Sequence, residues 1–163
     1  MARYYYAGGK RQSLDSVDDR VAIDVRAAHA EGLAVDSLPI LSKLSGGMII
    51  VAKKAVSGEL LARLTAAGAA QPVYKSGGAF VVLMPEVRVE TDAGQHEAAI
   101  HALNASHIEA DIIDRTPERL SLRPKSGSSE DALDLANYIH EHAHPAASSV
   151  RMFQVVPKRS VPE

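Results

Sequence analysis

The stretch from Pro85 to Pro157 constrains the fold most, because its apolar spacing switches between strand and helix periods in a definite order. Val87-Arg88-Val89-Glu90 alternates apolar and polar residues, as a strand with one buried face does. From Gly94 to Ala105, the residues Ala98, Ile100 and Leu103 fall near helical spacing. Ala110 to Asp114 and Leu120 to Arg123 are short apolar runs separated by the turn-like Thr116-Pro117-Glu118. Ser128-Ser129-Glu130-Asp131 then reads as a helix start, with Ser128 as cap and Asp131 in the place of the usual Glu or Gln of a capping box. Ala132, Leu135, Ala136 and Ile139 recur on one face, and Pro145 ends the pattern. Val150, Phe153, Val155 and Val156 supply a last strand. Strand, helix, strand, strand, helix, strand is the split βαβ, or ferredoxin-like, plan: an α+β fold with one antiparallel sheet and its helices on one face.

The residues before Pro85 repeat this theme less regularly. Tyr4-Tyr5-Tyr6 before Gly8-Gly9 predicts a strand entering a tight hairpin. Val21, Ile23 and Val25 alternate with Ala22 and Asp24, which predicts a strand with one buried face. Asp36-Ser37-Leu38-Pro39 has the form of a short helix start. Met48 to Ala52 reads as a strand. Ser57 opens a helix with Leu60, Leu61 and Leu64 pointing inward and Gly68 closing it. Pro72 to Lys75 and Ala79 to Met84 flank Ser76-Gly77-Gly78 as a hairpin. The expected organisation is two related α+β units, residues 1–84 and 85–157, followed by an extended tail, residues 158–163. No low-complexity linker separates the units.

Composition narrows the chemistry. With Trp absent and aromatics at 4%, a core has to be built from Val, Ile, Leu and Ala. A formal charge of −2 argues against a broad nucleic-acid surface, which needs clustered Lys and Arg. The absence of cysteine excludes disulfides, thiolate metal sites and thiol catalysis. No apolar run approaches the roughly 20 residues of a membrane helix, and the first residues lack the apolar stretch of a signal peptide. The expected location is therefore the cytoplasm. No nucleophile elbow is present, and Gly9-Lys10 lacks the glycine spacing and Ser or Thr of a phosphate loop. His140-Glu141-His142-Ala143-His144 is the one metal-like run. Its Glu is out of the frame that zinc-binding helices use, and histidines are favoured at a helix C-terminus without any metal. No metal, no cofactor and no catalytic residue is expected.

The order of several short runs resembles the region ahead of the catalytic domain in bacterial subtilisin-like serine proteases. The runs are Tyr5-Tyr6-Ala7-Gly8-Gly9-Lys10, Val21-Ala22-Ile23, Pro72-Val73-Tyr74-Lys75, Gly77-Gly78 and Val87-Arg88-Val89. Downstream they continue with Glu118 to Arg123, Asp131 to Ile139 and Met152 to Pro157. Nothing matches the Asp, His and Ser motifs of the protease itself. What the resemblance implies is an inhibitory, chaperone-like prodomain without its enzyme. Such a domain packs its sheet on the protease and lays its C-terminal tail in the substrate cleft as an added strand. In this chain that tail is Lys158, Arg159, Ser160, Val161, Pro162 and Glu163. Pro157 and Pro162 favour an extended form. Asp114 and Glu118, beside the predicted turn, are expected to cap the N-termini of the protease's helices. Two other readings have the same fold: a non-inhibitory adaptor of a separately encoded protease, and a small-ligand sensor.

Overall fold

The structure, a computed structural model, describes residues 3–7, 9–91 and 96–155. In chain order these form β1 (Arg3–Ala7), β2 (Lys10–Asp24), α1 (Val25–Ala30), β3 (Ile40–Lys43), β4 (Met48–Ala52), α2 (Gly58–Ala66), β5 (Ala70–Ser76) and β6 (Ala79–Glu90). There follow α3 (His96–Ala105), β7 (Ala110–Thr116), β8 (Arg119–Pro124), α4 (Ser129–Ala143) and β9 (Ala147–Val155). The class is α+β, and the described registers are antiparallel. Two compact units result: Leu14–Val82 with Met152–Val155 in the first, Arg3–Ser13 with Leu83–Arg151 in the second. The N-terminal hairpin arm, placed with the first unit by sequence order, thus belongs to the second.

In the second unit the strands lie in the order β9-β6-β8-β7, the ferredoxin-like arrangement expected. Val87 and Val89 of β6 stand opposite Leu122 and Leu120 of β8, and all four are buried. α4 packs on β8 and on α3. Its start is fixed by Ser128, whose hydroxyl accepts from the amides of Glu130 and Asp131 at 3.2 and 3.3 Å. Asp131 does not reach back to the cap amide as a capping box would. It accepts from the Ser126 hydroxyl at 2.6 Å, and Ser126 takes the Ser128 amide instead. Ala132, Leu135, Ala136 and Ile139 are buried as their spacing required. On α3, Leu103 is buried as expected, but Ala99 and Ala102 face inward with it while Ala98 is exposed.

The first unit runs β5-β2-β4-β3, the same order with different strands. Three expectations are corrected there. Val25 does not extend a strand; Asp24 caps α1 by accepting from the Ala27 amide at 3.1 Å. Asp36 to Pro39 form a turn leading into β3, not a helix. Ala22 is as fully buried as Val21 and Ile23, so β2 is buried on both faces here. The hairpin strand and the Val87 strand are one continuous β6. Pro85 sits in it between the residues that register with β5, Ala79 to Val82, and those that register with β8, Val87 to Glu90. Its missing N–H falls outside both registers, which is where a strand tolerates proline.

The pairings align the two units residue by residue. Val51 of β4 faces Val21 on one side and Ile40 on the other; Leu122 of β8 faces Val87 and Ile112. Val21-Ala22-Ile23-Asp24 therefore matches Val87-Arg88-Val89-Glu90, and Ile40 matches Ile112. Continuing at equal steps, the cap Ser57 of α2 matches Ser128, Glu59 matches Glu130, and Leu64 matches Leu135. Both leucines are wholly buried. β3 and β7 each carry a bulge just after the matched isoleucine.

Candidate functional site: the hairpin tip of the second unit

β7 and β8 close through Thr116 opposite Arg119, leaving Pro117 and Glu118 to make the turn. Proline's fixed φ suits the first corner of such a turn. On β7 the bulge at Ile113 has a chemical result. Asp111 faces Arg123 and Asp114 faces Ser121, so the two carboxylates share a sheet face although they are three residues apart. Unbulged, an odd separation would put them on opposite faces. Asp114 Oδ2 accepts from Arg119 Nη2 at 2.9 Å, with both side chains partly exposed. Glu118 is exposed at the tip itself.

The tip is tied to the rest of the unit. Thr91, just past the end of β6, donates its amide to the Glu118 carbonyl at 2.9 Å. His96, at the start of α3, has Nε2 2.6 Å from the Thr116 carbonyl and Nδ1 2.8 Å from Thr91 Oγ1. A carbonyl only accepts, so Nε2 carries a proton and donates to Thr116, while Nδ1 and the Thr91 hydroxyl share the second hydrogen bond. A carboxylate held on an anchored turn suits a cluster of N–H donors, such as a helix N-terminus, because little is left to order on binding.

Of the residues singled out in the sequence, Asp114 and Glu118 come together on this hairpin. Asp114 is engaged by Arg119, and Glu118 projects from the turn. Lys158, Arg159, Ser160, Val161, Pro162 and Glu163 lie outside the described residues, as do Val156 and Pro157. The histidines at the end of α4 have separate roles. His140 stacks on Tyr6 with ring centroids 3.9 Å apart. His142 stacks on Tyr138 at 3.9 Å and its Nδ1 donates to the Tyr138 carbonyl at 2.9 Å. His144 ends the helix with a left-handed backbone, φ 47°. Among the described residues no three His, Asp or Glu groups gather as a metal site would require. Nor is any described helix long and apolar enough to cross a membrane.

Sequence reasoning missed two features. His96 gave no signal, since its carbonyl partner Thr116 lies twenty residues on, beyond α3 and β7. The arm's role was equally hidden. Arg3 donates to Glu130 at 3.0 Å and to Asp134 at 3.1 Å, the Asn137 amide donates to the Tyr4 carbonyl at 2.9 Å, and the Tyr4 hydroxyl donates to Glu141 at 3.0 Å. Desolvation and the Glu141 carboxylate push the Tyr4 phenol above its ordinary value. Desolvation pushes Asp134 up as well, against the pull of Arg3.

A scan of the chain against protein-family models finds no match, and neither does a search of curated proteins.

Proposed function

We propose that the protein is a prodomain-like inhibitor, and folding chaperone, of a subtilisin-like serine protease. It is read as a binding protein and not an enzyme. The second unit would engage the protease through its sheet, Glu118 would cap a partner helix, and Lys158 to Glu163 would lie in the substrate cleft as an added strand. The observation that supports this most is the anchored, carboxylate-bearing tip on a β9-β6-β8-β7 unit. A tip held by Thr91 and His96 binds as a preformed element. The order of sequence runs shared with protease prodomains supplies the class of partner. Asp114 is the secondary contact, because binding must first draw its carboxylate from Arg119.

The test is inhibition of a purified subtilisin-like protease by the full chain. Deletion of Lys158 to Glu163 is expected to abolish inhibition while leaving binding measurable. Glu118→Lys is expected to weaken binding on the order of tenfold, the loss of one favourable charge at a helix end and its replacement by an unfavourable one. A full chain that neither binds nor inhibits a panel of such proteases would refute the proposal. A tail-deleted chain that inhibits as well as the parent would refute the cleft mechanism and leave an adaptor.

A further inference from the structure

The arm contacts on α4 form one continuous receptor stripe. Glu130, Asp134, Asn137 and Glu141 recur every three to four residues, so they lie along one side of the helix. Arg3 spans the first two, and Tyr4 takes the third through its carbonyl and the fourth through its hydroxyl. Tyr6 then stacks on His140, and Arg11 lies over the Tyr4 ring at 4.3 Å. The stripe is acidic and the segment that fills it is an extended strand carrying Arg and Tyr. The Arg3 ion pairs and the Tyr4–Glu141 bond are polar and partly exposed, the kind that exchanges with water at small cost, whereas Asn137 is buried and needs an arm carbonyl to accept from it.

The matched helix of the first unit shows that this cover is dispensable to the fold. α2 has Arg63 where α4 has Asp134 and Ala66 where α4 has Asn137. It can make neither the Arg3 ion pair nor the amide bond, yet Leu64 is as buried as Leu135. The inner face, not the arm, therefore seats such a helix. The arm is also remote in sequence from its receptor: all of Leu14–Val82 lies between them.

We propose that the stripe on α4 accepts the arm of a second copy of this chain, giving an arm-exchanged dimer. The second copy is the partner chosen because its arm carries the same Arg3, Tyr4, Tyr6 and Arg11, so each contact is reproduced without new chemistry. Exchange then costs what it takes to lift a polar strap and turn the chain ahead of the buried Leu14.

The chain has no cysteine, so two introduced thiols report only on each other. Tyr6→Cys and His140→Cys are placed on separate molecules, mixed at high concentration, and treated with a short bifunctional thiol linker. A cross-linked dimer is expected, and Arg3→Glu in the Tyr6→Cys chain should lower its yield severalfold. Both substitutions on one chain should cross-link internally at low concentration. Internal cross-linking with no mixed dimer would overturn the proposal, because the arm then stays on its own helix. Failure of the internal cross-link would overturn it too, since the arm would not lie on α4. Equal mixed-dimer yield when His140→Cys is replaced by the exposed Glu59→Cys would reveal random collision and would also overturn it.

Discussion

The two units share a strand order but spend it differently. Their matched positions are those that the topology needs: a branched apolar pair on the first strand, an isoleucine before the edge bulge, a serine cap and a buried leucine on the second helix. Their unmatched positions are where chemistry collects. In the first unit the β3–β4 connection contains the tight turn Ser45–Gly47, with Gly46 and Gly47 at φ 74° and 84°. In the second, the matched turn carries Pro117 and Glu118 and is held by Thr91 and His96. α2 is nine residues long and has Arg63 and Ala66 at the matched positions, whereas α4 is fifteen and carries a strap. One unit is the plainer fold, and the other adds an anchored, carboxylate-bearing tip and a strapped helix. The bulges at β3 and β7 serve both. On β7, Asp111 and Arg115 fall on opposite faces, so the antiparallel self-pairing that their charges would favour is broken, a common protection for an edge strand.

The widest test of the match is Leu64→Asp beside Leu135→Asp. Each places a carboxylate at a fully buried position and should cost about 4 kcal/mol or more in urea unfolding. A variant that unfolds like its parent would show that its helix is not seated as described, and the match would fail.

Next in size is Gly47→Ala. Its left-handed φ strains any side chain, and an added methyl would stand 3.2 Å from Arg26 Cγ. A loss of about 2 kcal/mol is expected. Glu118→Ala at the matched turn should change stability by less than about 0.5 kcal/mol while weakening partner binding. Equal stability losses at the two turns would erase the distinction between a structural and a binding tip.

Asn137→Ala should cost about 1 kcal/mol and speed hydrogen exchange in Tyr4 to Tyr6, because the Tyr4 carbonyl loses its donor. Ala66→Asn on α2 should gain nothing. If Asn137→Ala leaves exchange in the arm unchanged, the strap is held by other contacts.

The smallest effect is that of Asp134→Asn, which is best read as a function of pH. Desolvation raises the folded pKa of Asp134 above its ordinary 3.8. The protonated acid therefore favours the fold below that value, and the advantage is lost as pH rises through the raised pKa. The melting temperatures of parent and variant should coincide in strong acid, and the variant should gain slightly as pH rises. The side chain is 54% exposed, so solvent keeps the difference small. A gap of opposite sign would mean that the Arg3 pair outweighs desolvation.

The sequence by itself determined the α+β class and the second unit's element order. There the periods are clean: Val87 and Val89 two apart, Leu135 and Ile139 four apart, Ser128 at the cap. Those are local properties of a chain that must bury one face. It determined the hairpin carrying Asp114 and Glu118 for the same reason, since a proline turn between two apolar runs has few alternatives. On α3 it placed Leu103 rightly but missed Ala99 and Ala102, because alanines fill both sides and leave little apolar contrast. It also missed α1, whose start rests on the capping bond from Asp24. Only the tertiary structure decided that Arg3 to Ser13 joins the second unit, that His96 ties the tip, and that the bulge at Ile113 puts Asp111 beside Asp114. Each depends on groups brought together by strand pairing or by packing across the chain, and no periodicity within a short window records which distant segment will arrive.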